Sequence, residues 1–228
     1  MTRIYVHPLP VRLWHWTNAL GFLVLIATGL QIRYGAPAVM SFKMAVDVHN
    51  AVGFVLIANY FLWLGFYLVS DKITVYHPEF SPATHFRNVM RQLGYYGYGI
   101  FRGRPNPHHV SAYRKFNALQ SMSYQVVMMV LVPLQFYTGL VLWDLQRFAG
   151  TVELLGGARV VDTIHVVLFI AFVVFILVHI YLTTLGRTAS QHVKAMITGY
   201  EDVDDAPDVA SSKPGALPAE PRPPTIDG

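Results

Sequence analysis

The sequence predicts an all-α fold: an integral membrane four-helix bundle. Three features predict it. Of 228 residues, 54% are hydrophobic and only 13% charged, and the mean hydropathy is +0.39. Soluble domains carry about 25% charged residues. Four apolar, almost charge-free windows are each close to the ~20 residues that cross a bilayer, giving helices at about 14–33, 46–70, 117–143 and 160–186. Finally, basic residues collect in one polar loop, 71–116, as they do on the cytoplasmic side of membrane proteins.

That loop sets the topology. It holds seven Lys/Arg (Lys72, Arg87, Arg91, Arg102, Arg104, Arg114, Lys115) against two acids. With four spans, both termini are then cytoplasmic, in keeping with Arg3 and Arg12 at one end and Arg187 and Lys194 at the other. No cleavable leader is expected, because no small-residue cleavage site follows the first window. Residues 1–201 read as one membrane domain. Residues 202–228 read as a disordered cytoplasmic tail, Pro-, Ala- and Asp-rich.

Taken in order, a short lead with two prolines precedes the first helix, which opens on His15 and carries Gly29 near its end. The second helix opens on His49, with Gly53 one turn later on the same face. Thr84 to Tyr96 places Phe86, Val89, Met90 and Leu93 on one side, the pattern of an amphipathic interfacial helix or of a helix docked on another protein. Pro133 should kink the third helix and free a carbonyl for a neighbouring side chain. After the fourth, Thr188–Ala–Ser–Gln191 matches a capping box, and a short helix ending at Gly199 should follow.

Histidine carries the chemistry. There is no cysteine, which excludes disulfides, Cys-ligated clusters and thioether-linked haem. The net charge of +4 is no sign of nucleic-acid binding, because the basic residues lie between apolar helices. His165 and His179 are fourteen residues apart in the fourth helix. Fourteen steps are almost four turns, so both leave one face, roughly 21 Å apart along the axis. In a hydrocarbon core of about 30 Å, one lies near each surface. The topology supplies a partner for each: His15 for His179 at the cytoplasmic side, and His49 for His165 at the periplasmic side. A single membrane histidine is as readily a packing residue; four that sort into pairs by depth are not. Two neutral imidazoles facing each other across a gap suit a six-coordinate haem iron, and two such pairs call for two b haems. Zinc is the weaker fit, since paired sites two helices apart suit a wide planar group better. Gly29 and Gly53 would let a porphyrin approach the backbone. Arg12, Arg33 and Arg114 lie near the surfaces where propionates would emerge. His7, His77, His85, His108, His109 and His192 fall in polar segments and read as solvated.

These residues resemble the di-haem cytochrome b membrane subunits of nickel–iron hydrogenases, formate dehydrogenases and thiosulfate reductases. PVRLWHW (Pro10 to Trp16) is close to the first-helix motif of the hydrogenase cytochromes, and His49 with Gly53 resembles the HxxxG pattern. Ile164 to Tyr181 resembles the fourth helix, histidine spacing included. Lys115 to Gln120, KFNALQ, is similar to the start of the third helix in the formate dehydrogenase and thiosulfate reductase branch. Lys194 to Glu201 resembles the segment after the fourth helix. The resemblance spans residues 4–201. Where hydrogenase subunits often carry extra histidines before the first fourth-helix ligand, this chain has Val161–Asp162–Thr163–Ile164.

The resemblance implies a quinone-linked electron-transfer subunit of a respiratory oxidoreductase in the bacterial inner membrane. Electrons would pass through two bis-His b haems between the quinone pool, menaquinone or ubiquinone, and a periplasmic partner. That partner would be an iron–sulfur, hydrogenase, molybdoenzyme or multihaem cytochrome c subunit. Asn117 and His179 correspond to the quinone site; Asn117 serves equally well as a helix N-cap. The alternatives are a stand-alone di-haem membrane oxidoreductase, of superoxide oxidase or ferric reductase type, and a haem-free anchor or transporter.

Overall fold

The computed structural model describes residues 2–36, 39–69, 82–105, 107, 118–186 and 188–203. Asn117, His77, His108, His109, Arg114, the loop residues 71–81, 106 and 108–116, and the tail from 204 lie outside the described residues. The chain forms two units, Leu13–Leu182 and Met1–Arg12 with Thr183–Gly228.

The larger unit is built on four long helices. They are α1 (Leu9–Tyr34), α2 (Phe42–Val69), a third span made of α4 (Ala118–Val126), a π turn (Val127–Leu131) and α5 (Val132–Trp143), and α7 (Ala158–Thr183). All four are long and apolar enough to cross a membrane. α1 begins some five residues before the expected start. Its first turn takes in Pro10, which is tolerated there because the first amides of a helix need no carbonyl partner.

Contacts between the spans order them up, down, up, down. Trp14, at the start of α1, stacks on Trp63 late in α2 at 5.7 Å, and Asn59 donates to the Trp14 carbonyl. At the opposite end Arg33, in the last turn of α1, pairs with Asp162 in the first turn of α7 at 2.6 Å. Midway, Phe22 packs on Phe172 at 5.3 Å. Small and polar residues lie inside beside apolar ones: Gly21, Thr28, Gln31 and Thr138 are buried with Leu56, Trp63 and Phe172, while Leu20, Leu23, Leu62 and Leu177 face outward. Small residues at the contacts suit lipid, where close helix packing drives association. At Gly21 the approach is closest: a Cβ there would stand 2.6 Å from Leu56 Cδ2.

Pro133 frees a carbonyl that a neighbouring side chain meets, as the sequence suggests. Val132 N–H bonds to the Val127 carbonyl in π register. The next bond of that register would run from residue 133 to the Met128 carbonyl, and proline has no N–H to give. The buried Tyr60 hydroxyl donates to Met128 O instead, at 3.1 Å.

α3 (Pro82–Gly94) covers most of the expected amphipathic helix and runs on through a π turn, Tyr95–Gly99, and a 3-10 turn, Ile100–Arg102. Of the apolar face read from the sequence, only Val89 packs inside the chain. Val89 and Gln92 are buried, while Phe86, Met90 and Leu93 are exposed. His85 also departs from its expected solvation. Its Nε2 is buried, with no hydrogen-bond partner among the described residues, because it lies on the α3 flank that also buries Val89 and Gln92. A short helix not foreseen in the sequence, α6 (Ala149–Leu154), joins α5 to α7.

In the smaller unit β1 (Thr2–Tyr5) pairs antiparallel with β2 (Tyr200–Val203), Thr2 opposite Val203. Residues 202–203, assigned to the tail by composition, therefore belong to a strand: backbone pairing supplies the order their side chains do not signal. α8 (Gln191–Thr198) is capped by Ser190 without a side-chain bond, so the expected Thr188 capping box is not formed. Gln191 donates to Glu201 instead. Gly199 ends α8 as expected, at φ +90°, and accepts from the amides of Val6 and His7. A Cβ at 199 would collide with the Tyr5 ring and the His7 carbonyl, at 2.7 and 2.8 Å.

Candidate functional site

The four membrane histidines fall at two levels of the bundle. His15 and His179 occupy one end. Their ring centroids are 6.2 Å apart and tilted by 50°. Two imidazoles on opposite sides of one metal, each about 2 Å from it, take up such a gap. Trp16 lies edge-on to His15, and Phe175 stacks on His179 at 5.8 Å. His15 Nδ1 is buried without a hydrogen-bond partner among the described residues.

His49 and His165 occupy the other end, within electrostatic reach of each other. Each leans on the neighbouring helix in the same way. Thr28 Oγ1 lies 2.9 Å from His49 Nδ1, and Thr138 Oγ1 lies 2.9 Å from His165 Nδ1. The glycine after each threonine makes room for the ring. A Cβ at Gly29 would stand 3.4 Å from His49 Cε1, and one at Gly139 would stand 3.3 Å from His165 Cε1. The Gln135 amide N–H donates to His165 Nε2 at 3.1 Å.

Of the residues singled out in the sequence, Gly29 touches a histidine. Gly53 does not: a Cβ there would meet nothing within 4 Å, so that side of α2 is open to a flat group. Arg33 is engaged with Asp162, and Arg12 donates to the Ile197 carbonyl at the end of α8. Asn117 lies outside the described residues. Sequence reasoning missed Thr28, Thr138, Gly139 and Gln135. Their only signal was the Thr–Gly step repeated near the ends of the first and third spans.

Residues 6–199 match the profile of the prokaryotic cytochrome b561 proteins. The chain belongs to the prokaryotic cytochrome b561 family. It is 34% identical over 201 residues to a protein of Escherichia coli K12 provisionally named cytochrome YdhU, covering 87% of this chain and 74% of that one. It is 27% identical over 228 residues to a Cupriavidus necator protein named "Probable Ni/Fe-hydrogenase B-type cytochrome subunit", covering 88% of each. It is 26% identical over 206 residues to an Azospira oryzae protein, provisionally named a subunit of a protein-methionine-sulfoxide reductase, covering 86% of this chain and 96% of that one. As a cytochrome b561 with four spans, the chain is a multi-pass protein of the bacterial inner membrane and an electron-transfer cytochrome b.

Membership in the cytochrome b561 family implies b-type haem, and the residues present fit it. The donors come as paired imidazoles, one pair at each end of the bundle. No group of three or more His, Cys, Asp or Glu that could hold a metal exists among the described residues, so a closed zinc-type site is not built there. A group that needs two axial nitrogens and a flat, apolar surround matches this donor set. Gln135 Nε2 lies 3.1 Å from His165 Nε2, the nitrogen a metal would take, so this side chain would give way to a bound group.

Proposed function

We propose that this cytochrome b561 is the quinone-linked electron-transfer subunit of a respiratory oxidoreductase, holding two b haems by bis-histidine ligation. His15 and His179 would ligate the haem nearer the cytoplasm, and His49 and His165 the one nearer the periplasm. The single observation that carries this reading is the sorting of four imidazoles into two pairs, one at each end of the same bundle. Bound haem iron supplies a one-electron couple at each level. The chain would do the rest: its paired imidazoles would hold the iron, and its outward leucines keep the bundle in lipid. The charge of loop 71–116 supports cytoplasmic termini.

Asn117 and His179 are the proposed quinone contacts. An amide at the head of the third span can donate to a quinone carbonyl beside His179. The partner is proposed to be a periplasmic redox subunit. Relatives named as hydrogenase cytochrome subunits favour a hydrogenase, while the relative named as a protein-methionine-sulfoxide reductase subunit favours a sulfoxide-reducing partner.

Haem analysis of the purified chain tests the core of this reading. Two b haems per chain are expected. His49→Ala and His165→Ala should remove one and the same haem, and His15→Ala and His179→Ala the other. A single haem in the native chain, or loss of both from every variant, overturns it. A quinone analogue that binds Asn117→Ala as well as the native protein overturns the quinone site. A lone chain that is stable and active without a partner favours the stand-alone oxidoreductase.

A further inference from the structure

Thr28 and Thr138 hold their histidines in one particular state. A hydroxyl has one proton. Thr28 donates its proton to the Val24 carbonyl at 2.8 Å, and Thr138 to the Leu134 carbonyl at 2.9 Å, each four residues back in its own helix. The oxygen then offers the imidazole only a lone pair. Nδ1 must carry the ring hydrogen and donate it, at 2.9 Å in both cases. Nε2 is left with its lone pair. At His165 an independent contact agrees, because the Gln135 N–H donates to that same Nε2. The following glycines fix direction as well as tautomer: with a Cβ at 29 or 139 the ring would have to give by a few tenths of an ångström. The first and third spans thus present one device, a Thr–Gly step, to the second and fourth. His15 has no counterpart, since its buried Nδ1 finds no acceptor among the described residues.

We propose, on the reading that His49 and His165 ligate one iron, that Thr28 and Thr138 are positioning residues that set the reduction potential of that haem. An acceptor on Nδ1–H pushes electron density onto Nε2 and makes the imidazole a stronger donor. A stronger donor favours ferric over ferrous iron and lowers the potential. Removing either acceptor raises it. One neutral hydrogen bond corresponds to roughly a five-fold change in the ferric/ferrous ratio, about 40 mV for a one-electron couple. Both threonines act on one iron, so the double variant should shift the ratio about 25-fold, about 80 mV.

The test is a redox titration of the membrane-embedded full chain, followed in its visible absorption, for Thr28→Val, Thr138→Val, the double variant, and Thr→Ser at each position. Both single Val variants should raise the potential of the same component, the one missing from His49→Ala. The double variant should add the two shifts, and Ser should restore the native value. Two bound haems with unmoved potentials overturn the positioning role and leave the two-haem reading intact. A native chain with fewer than two haems overturns that reading itself. Shifts on two different components would place the two histidines on different irons and overturn both. Where a Val variant loses haem, haem content is the readout. Loss confined to the His49 component and recovered by Ser supports the role; loss of both haems, or no recovery, overturns it.

Discussion

Replacing Tyr60 by Phe removes one atom and isolates one bond. The ring keeps its neighbours, Trp63 at 5.7 Å and Phe136 at 5.7 Å. What is lost is the 3.1 Å donation to the Met128 carbonyl, which has no backbone donor because residue 133 is proline. Tyr60 is only 8% exposed, so water does not readily replace the hydroxyl. Polar contacts between membrane helices average about 0.6 and reach about 1.7 kcal/mol. A buried, otherwise unserved carbonyl belongs in the upper half of that range, near 1 kcal/mol. For a chain of this size that lowers Tm by roughly 2–4 °C. The decisive comparison is with Pro133→Ala. Alanine supplies the missing N–H in π register. If the turn relaxes to α register, the Val132 amide reaches Met128 instead. Either way the carbonyl gains a backbone donor, and Tyr60→Phe should then cost close to nothing. The assay is a thermal unfolding cycle of four proteins in detergent, read by tryptophan fluorescence and haem absorbance. Equal losses from Tyr60→Phe in both backgrounds would show that the hydroxyl does not serve this carbonyl, and the account of the kinked third span would fail.

Three further outcomes are expected. Gly139→Ala should push His165 off its seat, because its Cβ would stand 3.3 Å from Cε1; haem content at the His49–His165 level should fall while the other haem stays. Arg33→Gln should lower thermal stability only slightly, since both side chains of the Arg33–Asp162 pair are well exposed, and the small loss should shrink at high salt. Glu201 makes the paired termini acid-sensitive. The His192 hydrogen bond, ahead of the neighbouring charges of His192 and His7, holds its carboxyl below the ordinary 4.5. A carboxylate with a depressed folded value stabilises above its ordinary value and loses that contribution as pH falls through the folded one. Hydrogen exchange of the β1 amides should therefore accelerate below about pH 4.5, and Glu201→Gln should remove that pH dependence.

The four spans and their histidines were legible because each breaks a strong rule. A run of about 20 apolar residues has few uses outside a bilayer, and an imidazole inside one is conspicuous. Period did the rest, since fourteen residues on a helix return to the same face. Thr28, Gly29, Thr138 and Gly139 were less legible. Threonine and glycine are ordinary in membrane helices, and neither raises the hydropathy profile. Only Gly29 was found, through its own fourteen-residue spacing from His15. The repeated Thr–Gly step was available as a signal, but it gains meaning only when a histidine from the next helix is seen against it. The β1–β2 pair was illegible for a different reason: its two four-residue strands lie at opposite ends of the chain, and no local pattern announces pairing at that range. His85 was read as solvated because its segment is polar, whereas on the flank of α3 that carries Val89 and Gln92 it is half-buried, with its Nε2 out of contact with water.

One consequence joins the site to the fold. α1 and α7 meet at both ends and in the middle, through His15–His179, Phe22–Phe172 and Arg33–Asp162. Both levels are walled by this same pair. α7 supplies a histidine to each, while α1 supplies His15 to one and the Thr28–Gly29 seat to the other. The separation of the two levels along the bundle is then set by the rise of two packed helices, fourteen residues on each, and not by loop geometry. α2 and the third span add what differs between the levels: His49 from one, the Thr138–Gly139 seat from the other. The fourth helix first stood out as one face carrying two histidines. In the bundle that face is half of a ruler whose other half is α1, and among the described residues threonines seat the histidines at only one of its two ends.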